Sequence, residues 1–166
     1  MMVQQTAYTT DDVWKSYGTE TAVSDWVRVE QSLADKFAEA TMDPDWMHLD
    51  PERCKRDGPY DTTIAFGFWT MSMLTHFIRK TTGREYPEGA LYGYNYGFDR
   101  VRLTAPVKMG ARIRAHQKLV DVQDRGNGRF VIKSETRIEI EGEEKPAMYA
   151  EWLGMIIYPS PDAAGE

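Results

Sequence analysis

The sequence predicts an α+β domain in which one long antiparallel β-sheet wraps around a single buried helix. Three observations predict it. Ile64 to Lys80 is apolar nearly all round, and a helix without a polar face is normally buried inside a domain. From Arg112 and again from Phe130, polar and apolar residues alternate at strand period. The helix precedes four long strands in chain order, so the sheet has one helix to close over.

Composition bounds the rest. A chain of 166 residues suits one domain. At 42% hydrophobic and 12% aromatic it carries enough core material to fold. The net charge of −6 speaks against a general nucleic-acid binder, whose affinity rests on Lys and Arg. A single cysteine, Cys54, excludes a disulfide framework and a CxxC zinc site. No basic-then-apolar leader opens the chain. The longest apolar run, Ile64 to Ile78, is shorter than the roughly 20 residues of a membrane span. The expectation is a soluble, cytoplasmic protein without a metal.

Residues 1–22 show no clear period and read as an N-terminal arm; residues 23–158 read as the domain. Residues 159–166 are small, polar and Pro-punctuated, and read as a flexible tail. Trp26 to Glu30 alternates as a short strand. Leu33, Phe37 and Ala40, widened by Ala34 and Ala38, form a helical stripe. Ser32 with Asp35 is its capping pair, and its end falls near Met42. Pro44 and Pro51 bracket an irregular stretch. The buried helix follows the capping residues of 58–63 and stops at Gly83. Phe68, Trp69 and Leu74 should be nearly inaccessible. Leu91 to Leu103 is a strand. Arg112, Arg114, His116 and Lys118 face away from Ile113, Ala115, Gln117 and Leu119 on the next. Phe130, Ile132, Ser134, Thr136, Ile138 and Ile140 share one face of a third, after an Arg125-Gly126-Asn127-Gly128 hairpin. Ala147 to Tyr158 lacks clean alternation and reads as buried on both faces.

Chemistry concentrates in Thr41-Met42-Asp43-Pro44-Asp45-Trp46-Met47-His48-Leu49-Asp50-Pro51. Acid–base catalysis needs a carboxylate and an imidazole within reach of one water. Asp43 and His48 supply both, beside apolar Trp46 and Met47. A purely structural loop explains the same residues: His48 bonds a backbone carbonyl, and Asp43 and Asp50 cap turns. Of the other candidates, His76 reads as a core histidine and His116 as an exposed one. Cys54, near basic residues, reads as a bystander thiol. Tyr92, Tyr94 and Tyr96 read as one face at an interface or pocket wall.

Asp43 to Arg53 resembles the hydratase motif of the MaoC-like dehydratase family, in the branch related to nodulation protein N. The resemblance continues through Gly58-Pro59-Tyr60, Ile64-Ala65-Phe66-Gly67-Phe68, Asn95 to Arg102, Ala105-Pro106-Val107 with Gly110, and Lys145-Pro146-Ala147. It covers about Val23 to Tyr158. It implies a hot-dog fold and (R)-specific hydration of trans-2-enoyl thioesters, with coenzyme A as part of the substrate and no separate cofactor. It also implies sites at or near the boundary of a homodimer, or of a dimer of dimers. By position it assigns the catalytic pair to Asp43 and His48, and the polar position between them to Asp45. The oxyanion-binding backbone N–H falls on Gly67, and a hydroxyl near the catalytic water falls on Thr75. Phe66 stands where the family usually has His, and Met42 where it usually has Gly. Arg100, Arg102 and Lys108 form a basic patch able to attract coenzyme A phosphates. Two rival readings accompany this one: a non-catalytic acyl-CoA-binding protein and a thioesterase of the same fold.

Overall fold

The computed structural model describes residues 7–83 and 86–160. The elements run α1 (Thr10–Tyr17), β1 (Ala22–Val23), β2 (Val27–Arg28), α2 (Gln31–Thr41), α3 (Trp46–Leu49), α4 (Pro51–Asp57) and α5 (Gly67–Thr82). The strands β3 (Tyr92–Leu103), β4 (Arg112–Asp124), β5 (Arg129–Ile140) and β6 (Met148–Ile157) follow. They form one antiparallel sheet in the order β1-β4-β5-β6-β3, with β2 also on β4. The fold is hot-dog-like, with α5 as the long helix against the sheet.

The predicted alternation holds on β4 and β5. Ile113, Ala115, Gln117 and Leu119 are buried, as are all six residues expected on the inner face of β5. Asn127 takes a left-handed φ of 53° in the hairpin between them. The inner face serves two apolar clusters. One packs α5 and α2 through Trp69, Leu74, Phe77, Ala34 and Ala38 against Ile113, Ile138 and Met148. The other packs Val13 of α1 against Leu119, Phe130, Ile132, Ile156 and Tyr158. The arm is therefore partly ordered. A reciprocal Thr9–Asp12 capping box starts α1, and β1 pairs Ala22 with Gln117. Of the tail, residues 161–166 lie outside the described residues.

Several expectations need correction. Ser32 does not cap α2: Glu30 is its N-cap, without a side-chain bond, and Ala40 faces solvent. The stretch between Pro44 and Pro51 is not irregular. Asp45 accepts from the Met47 N–H and Asp50 from the Arg53 N–H, which caps two short helices, α3 and α4. Pro51 sits in the first turn of α4, where its missing N–H costs nothing. The central helix starts at Gly67, not Ile64. Trp69 and Leu74 are buried, but Phe68 is 71% exposed and His76 is exposed. One side of α5 is thus open in the single chain. His116 is half-buried, 2.5 Å from Glu139, and Arg114 pairs with the same carboxylate at 2.7 Å. These two partners hold Glu139 below the usual carboxylate range. β6 is buried on both faces only at Met155 and Ile156. Its inner Met148 and Ala150 are buried, whereas Trp152 and Gly154 border a cavity that blurs the alternation.

Leu74 is sealed against the sheet in the larger cluster. Leu74→Ala is expected to cost about 2–5 kcal/mol of stability in urea unfolding, the range for a buried leucine that leaves a cavity.

Candidate active site

The start of α5 is fixed by its neighbours before any chemistry is considered. The Met109 N–H donates to the Thr63 carbonyl at 3.0 Å, and the Ala65 N–H to the Val107 carbonyl at 2.7 Å. The Ile64 N–H donates to the Met47 carbonyl at 3.1 Å. These bonds tie the entry to α5 to α3 on one side and to the segment after β3 on the other.

His48 is locked onto the same segment. Its Nδ1 lies 2.8 Å from the Ile64 carbonyl oxygen. A carbonyl only accepts, so Nδ1 carries the hydrogen and the neutral ring leaves its lone pair on Nε2. Phe66 lies against the imidazole, ring centroids 3.7 Å apart. Phe66 is 3% exposed and also meets Phe37 at 5.2 Å. The residue that replaces the family's usual His is thus a buried platform for His48 and does not line an oxyanion site.

Gln31 holds His48 from the other side. Its Nε2 donates to the His48 carbonyl at 2.7 Å, and its Oε1 accepts from the Thr63 hydroxyl at 2.6 Å. Sequence reasoning missed both Gln31 and Thr63. They are far apart in the chain, and no local pattern links them.

Asp43 follows a tight turn off α2. Met42 sits at φ 56°, ψ 35°, and the Asp43 N–H returns to the Ala38 carbonyl at 3.1 Å. The Asp43 side chain is exposed and makes no bond or ion pair among the described residues. Met42 is 88% exposed and narrows no enclosed pocket. It rims a shallow groove with Asp35, Glu39 and Leu49. Asp45 is committed: its Oδ1 accepts from the Met47 N–H at 2.9 Å, so it works as a cap. The structural reading of the loop therefore holds for His48 and Asp50, while His48 Nε2 and the Asp43 carboxylate remain available. Cys54 is buried, and desolvation pushes its thiol up, which agrees with a bystander.

Gly67 is the first residue of α5, and its N-cap, Phe66, provides no side-chain cap. First-turn N–H groups have no partner within a helix, so this end offers donors and a partial positive charge. A β-carbon on Gly67 would collide with the Leu103 side chain of β3. Thr75 is elsewhere. At 1.5 Å per residue it lies about 12 Å further along α5. There it borders a cavity of about 470 Å³ with Ile132, Ser134, Trp152 and Ile156. Neither Asp43, His48 nor Gly67 lines that cavity.

The basic residues divide. Lys108 bridges to Ile64 and so stands beside the start of α5. Arg100 and Arg102 pair in register with Glu151 and Tyr149, on the strand face opposite to that of Leu103, which touches Gly67. On β4, Arg112 pairs with Glu141 and Arg114 with Glu139, which makes a charged outer sheet face.

Residues 13–140 match the MaoC like domain, and the chain belongs to that family. It is 38% identical over 151 residues to nodulation protein N of Rhizobium leguminosarum bv. viciae, covering 91% of this chain and 92% of that one. It is 41% identical over 140 residues to 3-hydroxyacyl-thioester dehydratase Z of Mycobacterium tuberculosis, covering 84% and 90%. Among solved structures it resembles an (R)-hydratase from A. caviae, with a TM-score of 0.65 at 17% identity over 85% of this chain and 96% of that one. A monoamine oxidase regulatory protein from Archaeoglobus gives a TM-score of 0.73 at 22% identity, over 86% and 91%. These structural likenesses establish the hot-dog fold.

Two substitutions toward the residues usual in the family should have opposite signs. Met42→Gly removes a side chain from a left-handed position and should stabilise the fold by about 1 kcal/mol. Phe66→His buries a polar ring in a packed site and should cost about 1–3 kcal/mol. Thermal unfolding of the two single variants checks both.

Proposed function

We propose that this chain adds water reversibly to a trans-2-enoyl thioester, with Asp43 and His48 as the acid–base pair and the Gly67 N–H as the oxyanion donor. The carrying observation is the 2.8 Å bond from His48 Nδ1 to the Ile64 carbonyl. It presents Nε2 as a base three residues from the helix start that would receive the thioester oxygen. Nodulation protein N and dehydratase Z share the chain at 38% and 41% identity, and the second name carries the reaction class and the thioester.

In hydration, one water hydrogen bonds the Asp43 carboxylate and the other faces His48 Nε2. His48 takes that proton as the water oxygen adds to Cβ. Charge moves onto the thioester oxygen, where the Gly67 N–H and the helix terminus stabilise it. The imidazolium then returns its proton to Cα, giving a 3-hydroxyacyl thioester. Dehydration runs the same steps backward. Lys108, beside the helix start, is placed to meet a phosphate of a coenzyme A carrier. The buried, unpaired Cys54 suits a reducing compartment and supports a cytoplasmic setting.

The site is completed by a second copy. Phe68 and Leu103 are 71% and 54% exposed and flank Gly67. β3 is a long edge strand carrying exposed Tyr92, Tyr94, Tyr96 and Phe98. An edge of that length and apolarity needs a cover. A homodimer along β3 covers it and puts each Gly67 end near the boundary.

The test is purified protein with crotonyl-CoA. Loss of enone absorbance is expected, whereas release of free thiol means a thioesterase, and saturable binding without turnover means a binding protein. Asp43→Asn and His48→Ala should each remove most of the turnover, and the double variant should lose little more. Wild-type rates in both single variants would leave the loop purely structural. In light scattering the protein should run as a dimer and Phe68→Ser should shift it toward monomer; a monomeric wild type at tens of micromolar refutes the assembly.

A further inference from the structure

The side chain of Gln31, the first residue of α2, reaches far beyond its own helix. Its bond to Asp35 spans four residues, but its bonds to His48 and Thr63 span 17 and 32. The partners dictate how the amide points. The His48 carbonyl can only accept, so Nε2 faces it, at 2.7 Å. The second Nε2 hydrogen goes to Asp35 Oδ1 at 3.0 Å. Oε1 therefore faces Thr63, whose hydroxyl donates to it at 2.6 Å. Both amide hydrogens and the amide oxygen are engaged, and Thr63 is 1% exposed. No other side chain presents an amide nitrogen and oxygen at that reach.

These bonds close a loop around His48. The imidazole is anchored to the Ile64 carbonyl, and the Ile64 N–H returns to the Met47 carbonyl. Gln31 joins the main chain of His48 itself to Thr63, the residue next to that anchor. One hydrogen bond tolerates a spread of angles, so the anchor alone would let Nε2 swing while Nδ1 kept its partner. A strut from the backbone of His48 to the anchoring segment removes that freedom. The same segment runs through Phe66 into the helix start at Gly67, so the strut also fixes the imidazole against the N-terminus of α5. A misplacement of about 1 Å can cost on the order of a hundredfold in rate.

We propose that Gln31 is a positioning residue for the hydration reaction, acting through His48, with Thr63 as the partner that orients its amide. The inference rests on the reading of His48 as the base and adds the side chains that aim it. The Gln31 amide is fully engaged with protein partners, so it acts on the imidazole and not on the substrate. Its loss should slow the chemical step and leave substrate binding nearly unchanged. Gln31→Glu keeps the shape and inverts the chemistry. A carboxylate has no hydrogen for the His48 carbonyl and adds a like charge beside Asp35. Thr63→Val keeps the size and removes the one donor to Oε1.

The experiment combines kinetics with nitrogen NMR of the imidazole, on the full chain. Rates are taken with crotonyl-CoA and trans-2-octenoyl-CoA, well below the unfolding transition of each variant. In Gln31→Ala, Gln31→Glu and Thr63→Val, kcat should fall about tenfold to a hundredfold while KM moves less than about threefold. Thr63→Ser, which keeps the hydroxyl, should recover most of the rate lost in Thr63→Val. The Nδ1–H signal of the neutral His48 ring should broaden in Gln31→Ala, a change that a loss of stability alone does not produce. Wild-type kcat in Gln31→Glu overturns the inference, as does a loss confined to KM. So does a Thr63→Ser no faster than Thr63→Val, or a His48 signal unchanged in Gln31→Ala. If wild type hydrates an enoyl thioester and His48→Ala does not, while the Gln31 variants turn over normally, only the inference fails. If His48→Ala keeps the wild-type rate, or no enoyl thioester is hydrated, the reading of the base fails and the inference falls with it.

Discussion

The site depends on one short stretch of backbone, Thr63 to Phe66. Its carbonyls and N–H groups are held by Met47, Val107 and Met109, and its Ile64 carbonyl holds the ring of His48. The same stretch ends at Phe66, the N-cap from which α5 departs. A base and an oxyanion donor on separate loops would move independently. In the proposed site both hang from one pinned segment, so their separation is set by covalent geometry and a few backbone bonds. That is the positional accuracy that proximity effects in catalysis require. Phe66 and Gln31 close the arrangement from two further sides. Phe66 blocks ring tilt by stacking, and Gln31 fixes the backbone of α3.

Much of the sheet was legible in the sequence because a strand that buries one face must alternate. β4 and β5 show their burial residue by residue, and the glycines around Asn127 mark their turn. What was not legible has physical causes. Phe68 belongs to an apolar helix, yet it points out of the single chain, and composition alone does not separate an exposed apolar face from a core. Asp45 and Asp50 look like loop carboxylates, yet each starts a helix too short for a periodic signal. The proposed acid–base pair was named from residue types and family resemblance. The bonds that orient His48 could not be, since Gln31 and Ile64 meet it, and Thr63 meets Gln31, only in three dimensions.

The sheet is also divided along its length between two packed ends and a cavity. The apolar residues at the two ends of β5 lock α5 at one end and α1 at the other. The middle of the strand gives up packing to a cavity and carries hydroxyls instead. The arm matters in this division. Val13 is fully buried in the second cluster, and Ser16 and Tyr17 form part of the cavity wall. Burial drives the Tyr17 phenol above its ordinary range. The arm thus stabilises the far end of the sheet and walls one side of the cavity.

The same reasoning explains why the start of α5 is poorly built as a helix terminus. A Ser, Thr or Asp at the N-cap typically contributes about 1 kcal/mol by bonding an early N–H, and this chain spends such caps on α1, α3 and α4. At α5 it places Phe66, which offers nothing to the first turn, and follows it with Gly67, a weak helix former. In the proposed mechanism a side-chain cap would occupy the donor assigned to the thioester oxygen. A larger residue at Gly67 would run into Leu103. The local loss is offset by the pinned strand before the helix and by Trp69, Leu74 and Phe77 within it. An uncapped terminus is tolerable where packing elsewhere holds the helix, and among the described residues it occurs at α2 and α5, the two helices that pack in the larger apolar cluster.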